Sequence, residues 1–395
     1  MPWAAPYAET PITASVEIPG SKSIAARSLV LAGLAEAPSL INGVPDGRDT
    51  ELLRAGLAAM GVGIAQAGAA SWQITPPARM RSASIDVGLS GTAMRFLPAV
   101  AALSPAETRF YGDPQASARP MAGLLGALRQ LGVDVSGAAL PFSITGPDSE
   151  SATEVRLDSA PTSQFISGLL LIGAKRTRGL RIVHQGPPLP SRPHISMTAL
   201  MLKARGVEVS QSAENVWEVS PGPISGLSER IEPDLTNTAT FLAAGAVTRG
   251  RVGARWPETS VQPGCQLLSA LRAFGAEAVI EKGCVCVIGP DKLNGAELDL
   301  REISEFTPVA AAMAALAEGP SRISGVGHIT GHETNRLQAL ATELSALGCH
   351  AEATSDGLAI SPGPLRPGVF HTYADHRMAH AGALLGLRVP GIKLD

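Results

Sequence analysis

The sequence predicts a two-domain α/β protein built from six copies of one βαβαββ unit, of which the sixth is incomplete. A segment that opens with polar residues and continues as a helix of small residues recurs about every 71 residues. A second, amphipathic helix ending in Leu-x-x-x-Gly follows each of these segments except the last. Two helix types that alternate at one spacing indicate an internal structural repeat.

The first helix of each unit begins at a polar or acidic segment of the kind that caps helices. The six copies are SKSIAARSLVLAGLA from Ser21, SGTAMRFLPAVAALS from Ser90, TSQFISGLLLIGA from Thr162, LTNTATFLAAGAVT from Leu235, EFTPVAAAMAALA from Glu305 and DHRMAHAGALLGL from Asp375.

The second helix of each unit ends at a glycine that fits the C′ position, where a left-handed residue terminates a helix. These glycines are Gly61, Gly132, Gly206, Gly275 and Gly348. Alternating residues follow, as in GVDVSG and GVEVSQ, and predict a strand. The same period places a sixth glycine near ~420, beyond Asp395. We therefore expect the sixth unit to lack its second helix.

The repeats divide the chain into two predicted domains. Three units fill residues 20–229, and residues 1–19 join residues 230–395 in the second domain. The stretch SGLSERIEPD is the best candidate for the crossing between domains. The strand ASVEIPG precedes the first unit, and we assign it to the last unit, which is expected to lack strands of its own.

Composition narrows the possible functions. The chain is 45% hydrophobic and 17% charged, which is typical of a globular protein, and its net charge is −3. That balance gives no general attraction to nucleic acid or to an anionic membrane. No export signal and no membrane-spanning apolar run is recognisable, so we expect a cytoplasmic protein.

The cysteines and histidines do not predict a metal or redox site. Cys265, Cys284, Cys286 and Cys349 lie in predicted helices or strands, and we expect all four to be buried, reduced core thiols. No metal-ligand spacing of His, Cys or acidic residues is present. We expect no metal and no cofactor.

The starts of the first helices predict an anion site. Each helix N-terminus carries free N–H groups and a partial positive charge. If the repeats are symmetric, these ends converge, and Lys22, Arg27 and Arg377 bring further cations to them. Such a site suits a multiply anionic ligand, above all a phosphate.

Six phrases in this chain resemble the 5-enolpyruvylshikimate-3-phosphate (EPSP) synthase family, in that family's order and spacing. They are PGSKSIAARSLVLA, GLSGTAMRFLP, ASARPM, TSQFISGLLL, GHETNRL and YADHRMA. The resemblance runs from about Ser15 to the last residue, and IEPDLTN looks closest to actinobacterial members. It implies an inverse α/β barrel of two three-unit domains, the last unit being completed by the N-terminal strand.

The resemblance also implies an activity. Family members transfer the carboxyvinyl group of phosphoenolpyruvate to the 5-hydroxyl of shikimate 3-phosphate and release phosphate, on the pathway to chorismate and the aromatic amino acids. These two small molecules are the expected partners, and we expect a monomer that needs no cofactor. Glyphosate is expected to compete with phosphoenolpyruvate, since resistant relatives often carry Ala where this chain has Gly91.

Matching the motifs residue by residue implies two sets of substrate contacts. The expected contacts to phosphoenolpyruvate are Lys22, Gly91, Arg119, Gln164, Arg336 and Arg377. The expected contacts to shikimate 3-phosphate are Ser23, Arg27, Thr162, Ser163 and Ser191. The family's C-terminal lysine, which contacts phosphoenolpyruvate, has no counterpart here, because Lys393 precedes that region.

The resemblance assigns the proton transfers less completely. Glu305 stands where many members carry Asp, and it is expected to act on the reacting hydroxyl. Lys22 and Glu333 are both candidates to protonate C3 of phosphoenolpyruvate. Glu305 and His332 are also expected to contact substrate, His332 standing where many members carry Lys. His328 and Leu89 each replace a common Asn, and His376 has no assigned role.

Two alternatives remain open. The related enolpyruvyl transferase that acts on UDP-N-acetylglucosamine usually carries a cysteine in the loop before its Arg-Pro, and GDPQASARP has none. The other alternative is a relative that binds ligand without turnover.

Overall fold

Helices and short strands alternate along the protein in a computed structural model, which describes residues 2–150 and 152–395. The helices are α1 (Lys22–Gly33), α2 (Arg48–Ala59), α3 (Gly91–Ala101), α4 (Ala122–Gln130), α5 (Gln164–Gly173), α6 (Arg192–Ala204), α7 (Leu235–Val247), α8 (Gly264–Ala273), α9 (Thr307–Ala315), α10 (Arg336–Ala346) and α11 (His376–Gly386). Within the described ranges no helix is long and apolar enough to span a bilayer.

In the part of the chain that the structure describes, the strands are short and fall into six sheets. They are β1 (Trp3–Ala4), β2 (Thr13–Val16), β3 (Ser39–Asn42), β4 (Gly63–Gly68), β5 (Ser71–Thr75), β6 (Ala83–Asp86), β7 (Thr108–Tyr111), β8 (Asp134–Ser136), β9 (Phe142–Thr145), β10 (Glu154–Leu157), β11 (Leu180–His184), β12 (Val209–Ala213), β13 (Val216–Val219), β14 (Ser228–Arg230), β15 (Arg251–Arg255), β16 (Glu277–Glu281), β17 (Cys284–Ile288), β18 (Glu297–Asp299), β19 (Ser321–Ser324), β20 (His350–Ala353), β21 (Leu358–Ser361), β22 (Gly368–Phe370) and β23 (Ile392–Leu394).

Five of the sheets share one strand order, which confirms the predicted repeat. In the second repeat the order is β6-β7-β9-β8. The first two strands are parallel and joined through α3, and the last two form an antiparallel hairpin after α4. The sheet order in the third repeat, β10-β11-β13-β12, is the same.

The chain forms two compact units, and its N-terminal strands join the second of them. One unit is Pro19–Glu232, and the other combines the residues up to Ile18 with Pro233–Asp395. In the first unit, β14 supplies the first strand of the opening sheet by pairing with β3. In the second, β2 pairs with β15 in the sheet of the fourth repeat.

Two predictions about the sixth repeat are wrong. The strand within ASVEIPG, β2, belongs to the fourth repeat and not to the last, because it pairs parallel to β15. The last repeat also has strands of its own, β22 and β23, which are parallel. A different N-terminal strand, β1, pairs antiparallel with β23 and takes the place of the fourth strand in that sheet.

The first helices of the repeats form the centre of each unit. Every residue of α9 is buried, and so is all of α3 after Gly91 and all of α5 after Gln164. A helix that is apolar on all sides belongs in a core. Helix α3 packs so closely on α5 that a Cβ at Gly168 would lie 2.8 Å from the Arg95 carbonyl oxygen. Small residues in these helices therefore allow the inverse barrel, with helices at its centre.

The closing glycines adopt the predicted left-handed conformation. Their φ angles are +101° at Gly61, +83° at Gly132 and Gly206, +92° at Gly275 and +103° at Gly348. After α2, for example, the Gly61 N–H bonds to the Ala58 carbonyl and the Val62 N–H bonds to the Leu57 carbonyl. This pair of bonds is the Schellman motif, which satisfies the last carbonyls of the helix.

The prediction that all four cysteines are buried is wrong. Only Cys349 is buried, while Cys265 and Cys284 are exposed and Cys286 is intermediate. In β17 the two cysteines share one face, as the alternation predicts, but Val285 and Val287 occupy the buried face. Since valine and cysteine are both apolar, their alternation does not reveal which face points inward.

Gly206→Ala should lower the free energy of unfolding by about 1 kcal/mol, because the added Cβ forces a side chain into the left-handed region. The site itself has room, since the new Cβ would meet only Ser225 Oγ at 3.6 Å. Urea unfolding measures the change. Gly126→Ala in α4, where a Cβ meets nothing within 4 Å, is the control and should stabilise by about 0.5–1 kcal/mol. Equal effects in both variants would contradict the conformational explanation.

Candidate active site

The start of α1 places two predicted site residues, Lys22 and Ser23, in the first turn of a buried helix. The Lys22 ammonium pairs with Asp49 Oδ2 at 2.9 Å, from the first turn of α2. The Lys22 side chain is 41% exposed, so solvent screens the pair and the contact is weak. An incoming anion can therefore compete with Asp49 for this cation.

Arg27 lies deeper along the same helix and is 1% exposed. Its Nε donates to Thr198 Oγ1 at 2.7 Å, and Nη1 donates to the Ser23 carbonyl at 2.8 Å. Its Nη2 donates to Ser167 Oγ at 3.2 Å and to the His194 carbonyl at 3.1 Å. Burial among these neutral oxygens lowers the pKa of Arg27 to about 9. The guanidinium thus joins α1, α5 and α6 and keeps a positive charge inside the unit.

Gly91 lies among three polar side chains at the start of α3. A Cβ placed there would be 3.3 Å from Arg119 Nη2 and 3.4 Å from both Arg95 Nη1 and Gln164 Oε1. The structure therefore brings together three predicted residues and one that sequence reasoning missed, Arg95. Helical spacing could have found it, because Arg95 lies one turn after Gly91 on the same face. Arg119 is fixed by a 2.8 Å bond from Nη1 to the Leu89 carbonyl.

The remaining predicted residues of this unit also lie at helix starts. Ser163 is buried at the N-cap of α5, and Thr162 Oγ1 accepts the Gln164 N–H at 3.3 Å. Ser191 is the N-cap of α6 and has a left-handed backbone, with φ +50°. Both residues thus lie at helix N-termini, where the helix dipole favours an anion.

In the second unit, Arg336 at the start of α10 connects three carboxylates. Its Nε and Nη2 donate to Asp375 at 2.8 and 3.2 Å, and Nη2 also donates to Glu333 Oε2 at 2.8 Å. Its Nη1 donates to Glu305 Oε2 at 2.9 Å and lies 3.0 Å from His332 Nδ1. Since a guanidinium has five N–H groups, all of them are engaged. Burial lowers the pKa of Arg336, but the three carboxylates raise it by more.

Arg377 extends this cluster to two further helix starts. Its Nε lies 3.4 Å from Glu305 Oε2, and Nη1 donates to Asn237 Oδ1 at 2.8 Å. Its backbone N–H donates to Asp375 Oδ1, the N-cap of α11. The starts of α7, α9 and α11 therefore meet here, as the repeat symmetry predicts. Asn237 and Asp375 were recognisable as helix starts, but their contacts to the arginines were not.

The charges of the two units differ. In the second unit, Glu305, Glu333 and Asp375 face two arginines, so the cluster carries one excess negative charge when His332 is neutral. Among the predicted residues of the first unit, cations predominate. Anything anionic that reaches Arg336 must replace one of its present partners.

His328 is a neutral hydrogen-bonding group in this cluster. Its Nε2 lies 3.0 Å from Ser304 Oγ. Burial, and to a smaller extent the neighbouring His332, lower the pKa of His328 to about 4. At neutral pH the ring is therefore uncharged. Within the described ranges, no group of three or more His, Cys, Asp or Glu side chains is arranged to hold a metal ion.

The sequence profile of the family EPSP synthase (3-phosphoshikimate 1-carboxyvinyltransferase) matches residues 6–395. This chain belongs to the EPSP synthase family. The predicted resemblance is thereby confirmed.

Named relatives agree with the family. A 3-phosphoshikimate 1-carboxyvinyltransferase from Mycobacterium ulcerans (strain Agy99) is 48% identical over 404 residues, which cover all of this chain and 93% of that protein. An EPSP synthase structure from Acinetobacter baumannii superposes with a TM-score of 0.82 at 23% identity, covering all of this chain and 94% of the other. The enolpyruvyl transferase NikO from Streptomyces tendae gives 0.78 at 20%, covering all of this chain and 92% of NikO. The two structures confirm the predicted fold class.

The stability of this EPSP synthase family member should fall as the pH drops from 6.5 toward 4. Burial lowers the pKa of both His328 and His380 to about 4. Above pH 6.5, the pKa of histidine in the unfolded chain, both rings are neutral in either state and the protein keeps its full stability. Below that pH the unfolded chain takes up protons first, and each histidine lowers the free energy of unfolding by on the order of 1–3 kcal/mol. The raised pKa of His371 has the opposite sign, but that ring is solvent-exposed.

Melting temperatures measured from pH 7.5 to 5 test this expectation. The double variant His328→Asn/His380→Gln should flatten the acid side of the profile, because neither new side chain titrates. An unchanged acid side would show that other groups control it.

Proposed function

We propose that this chain transfers the carboxyvinyl group of phosphoenolpyruvate to the 5-hydroxyl of shikimate 3-phosphate, giving 5-enolpyruvylshikimate 3-phosphate and phosphate. The observation that carries the proposal is 48% identity, over the whole chain, to a curated 3-phosphoshikimate 1-carboxyvinyltransferase. The test measures phosphate release from phosphoenolpyruvate, first with shikimate 3-phosphate as the acceptor and then with UDP-N-acetylglucosamine. Release with the second acceptor alone would favour the related transferase, and release with neither an inactive relative. We further propose that the protein is a cytoplasmic monomer.

We assign the two substrates to the residues that the motifs match. Phosphoenolpyruvate would be held by Lys22, Gly91, Arg119, Gln164, Arg336 and Arg377. Shikimate 3-phosphate would be held by Ser23, Arg27, Thr162, Ser163 and Ser191. The clustering of Gly91, Arg119 and Gln164 supports the first set, and the helix starts that carry Ser163 and Ser191 support the second.

The reaction needs proton transfer at two atoms. As the 5-hydroxyl oxygen bonds to C2 of phosphoenolpyruvate, its proton passes to a base, and C3 gains a proton. Loss of a proton from C3 and of phosphate from C2 then restores the double bond. We assign the base to Glu305, whose side chain is one-third exposed, and His332 to a polar contact beside it. Lys22 and Glu333 remain the two candidates for the proton at C3.

The hydrogen bonds of Arg336 suggest how binding and chemistry are linked. All five of its N–H groups are in use. A phosphoenolpyruvate carboxylate that binds this guanidinium would displace Glu305, Glu333 or His332. Release of Glu305 would then free its carboxylate for the hydroxyl proton, and release of Glu333 would let that carboxylate take up a proton and pass it to C3.

Glu305→Gln should lower kcat by about 10²–10⁴-fold, because an amide cannot accept the hydroxyl proton. Calorimetric binding of shikimate 3-phosphate should be nearly unchanged, since its assigned contacts lie in residues 19–232. Glu302→Gln, at an exposed position three residues earlier, is the control and should keep normal turnover. Near-normal turnover of Glu305→Gln would remove this carboxylate from the mechanism.

Gly91→Ala should weaken glyphosate inhibition by more than it raises the KM for phosphoenolpyruvate. The added Cβ would lie 3.3–3.4 Å from atoms of Arg119, Arg95 and Gln164. It should therefore crowd glyphosate, the longer molecule, more than phosphoenolpyruvate. Inhibition constants and KM for both enzymes decide the matter. If unmodified protein is insensitive to millimolar inhibitor, the site differs from the one proposed.

A further inference from the structure

The turn that precedes α11 has a backbone conformation that its side chains disfavour. Tyr373 and Ala374 follow each other with φ +56° and +55°, in the left-handed region that residues with a Cβ rarely occupy. Such residues persist only where surrounding contacts fix them. The next residue is Asp375, which caps α11 and binds Arg336. The strained turn therefore sets the position of a carboxylate inside the candidate site.

A buried carboxylate on α10 supplies contacts that fix this turn. Glu343 is 2% exposed. Its Oε1 accepts the Tyr373 hydroxyl at 2.7 Å, and its Oε2 accepts the His371 backbone N–H at 2.9 Å. Both donors are neutral, and burying a carboxylate without a cation is costly. The pKa of Tyr373 is raised to about 12, mainly by the hydrogen bond to Glu343 and to a smaller extent by burial. The hydroxyl therefore remains a donor at neutral pH.

Helix α10 holds the same segment at two points. Its first residue, Arg336, binds Asp375, and Glu343 lies two turns further along. A helix keeps residues at that separation about 10 Å apart along its axis. The contacts of Glu343 therefore fix the segment 371–375 relative to Arg336. Asp395 adds a further support, because its Oδ1 accepts both the N–H and the hydroxyl of Thr372.

We propose that Glu343 and Tyr373 form a clamp that positions Asp375, Arg336 and Arg377 to bind phosphoenolpyruvate. Glu343 is then a positioning residue, because it acts through the turn and touches no assigned substrate contact. The inference rests on the proposed function, in which both arginines bind this substrate. The assigned contacts of shikimate 3-phosphate lie in the other unit, so the clamp acts on one substrate only.

Tyr373→Phe tests the clamp with little risk to folding, because the ring is 43% exposed and only the hydroxyl is removed. The KM for phosphoenolpyruvate should rise about 10- to 150-fold, the range expected for losing a hydrogen bond to a charged group. The KM for shikimate 3-phosphate should stay within about twofold. Tyr111→Phe, at an equally exposed tyrosine in the first unit, is the matched control and should change neither constant.

Glu343→Gln should give the same split between the two KM values, because the amide keeps one acceptor but presents a donor to the second partner. Hydrogen exchange supplies a readout that needs no turnover. The His371 amide should lose protection in Glu343→Gln and keep it in Tyr111→Phe. Parallel rises in both KM values, or unchanged exchange at His371, would overturn the clamp. Absence of turnover in the unmodified protein would instead overturn the proposed activity, and the exchange result would still decide the clamp.

Discussion

The hydrogen-bonded guanidinium of Arg336 is the interaction on which the polar cluster of Pro233–Asp395 depends. It is fully buried, and each of its N–H groups is bonded to the protein. Removing one partner of such a group leaves an uncompensated charge, which is why buried ion networks are sensitive to single changes. Glu305, Glu333 and Asp375 come from three separate segments, and the arginine holds them in one place. The geometry of the starts of α9, α10 and α11 follows from that common partner.

The two units use opposite electrostatic arrangements. In residues 19–232 a buried cation, Arg27, is surrounded by neutral oxygens, so an anionic ligand would complete the charge balance. In the second unit the carboxylates already neutralise the arginines. A ligand anion there has to exchange with a carboxylate of the protein. Anion binding at Arg336 therefore depends on rearrangement of side chains that are themselves candidates for proton transfer.

The parts of the fold that depend on a few neighbouring residues were predicted from the sequence. The parts that depend on contacts between distant segments were not. The helix starts and the closing glycines were predictable, because caps and left-handed terminators are encoded within a few residues. The partner of β2 was not, since the strand itself does not specify which sheet it joins. Cys284 and Cys286 were misplaced because both faces of β17 are apolar. In the site, the sequence indicated Arg336 and Glu305 through motifs. Their shared hydrogen bonds, and the roles of Arg95 and Glu343, depend on side chains that meet only after folding.

The path of the N-terminal strands has a consequence for synthesis on the ribosome. Strand β2 leaves the ribosome early but pairs with β15, and β1 pairs with β23 near the other end of the chain. At about 5–20 residues per second, these partners emerge tens of seconds later. The unit from Pro19 to Glu232 has all of its strands once β14 has emerged. The unit Pro19–Glu232, which follows β1 and β2 in the chain, is therefore the first able to fold. Until then β1 and β2 lack their pairing partners, and unpaired strand edges favour aggregation.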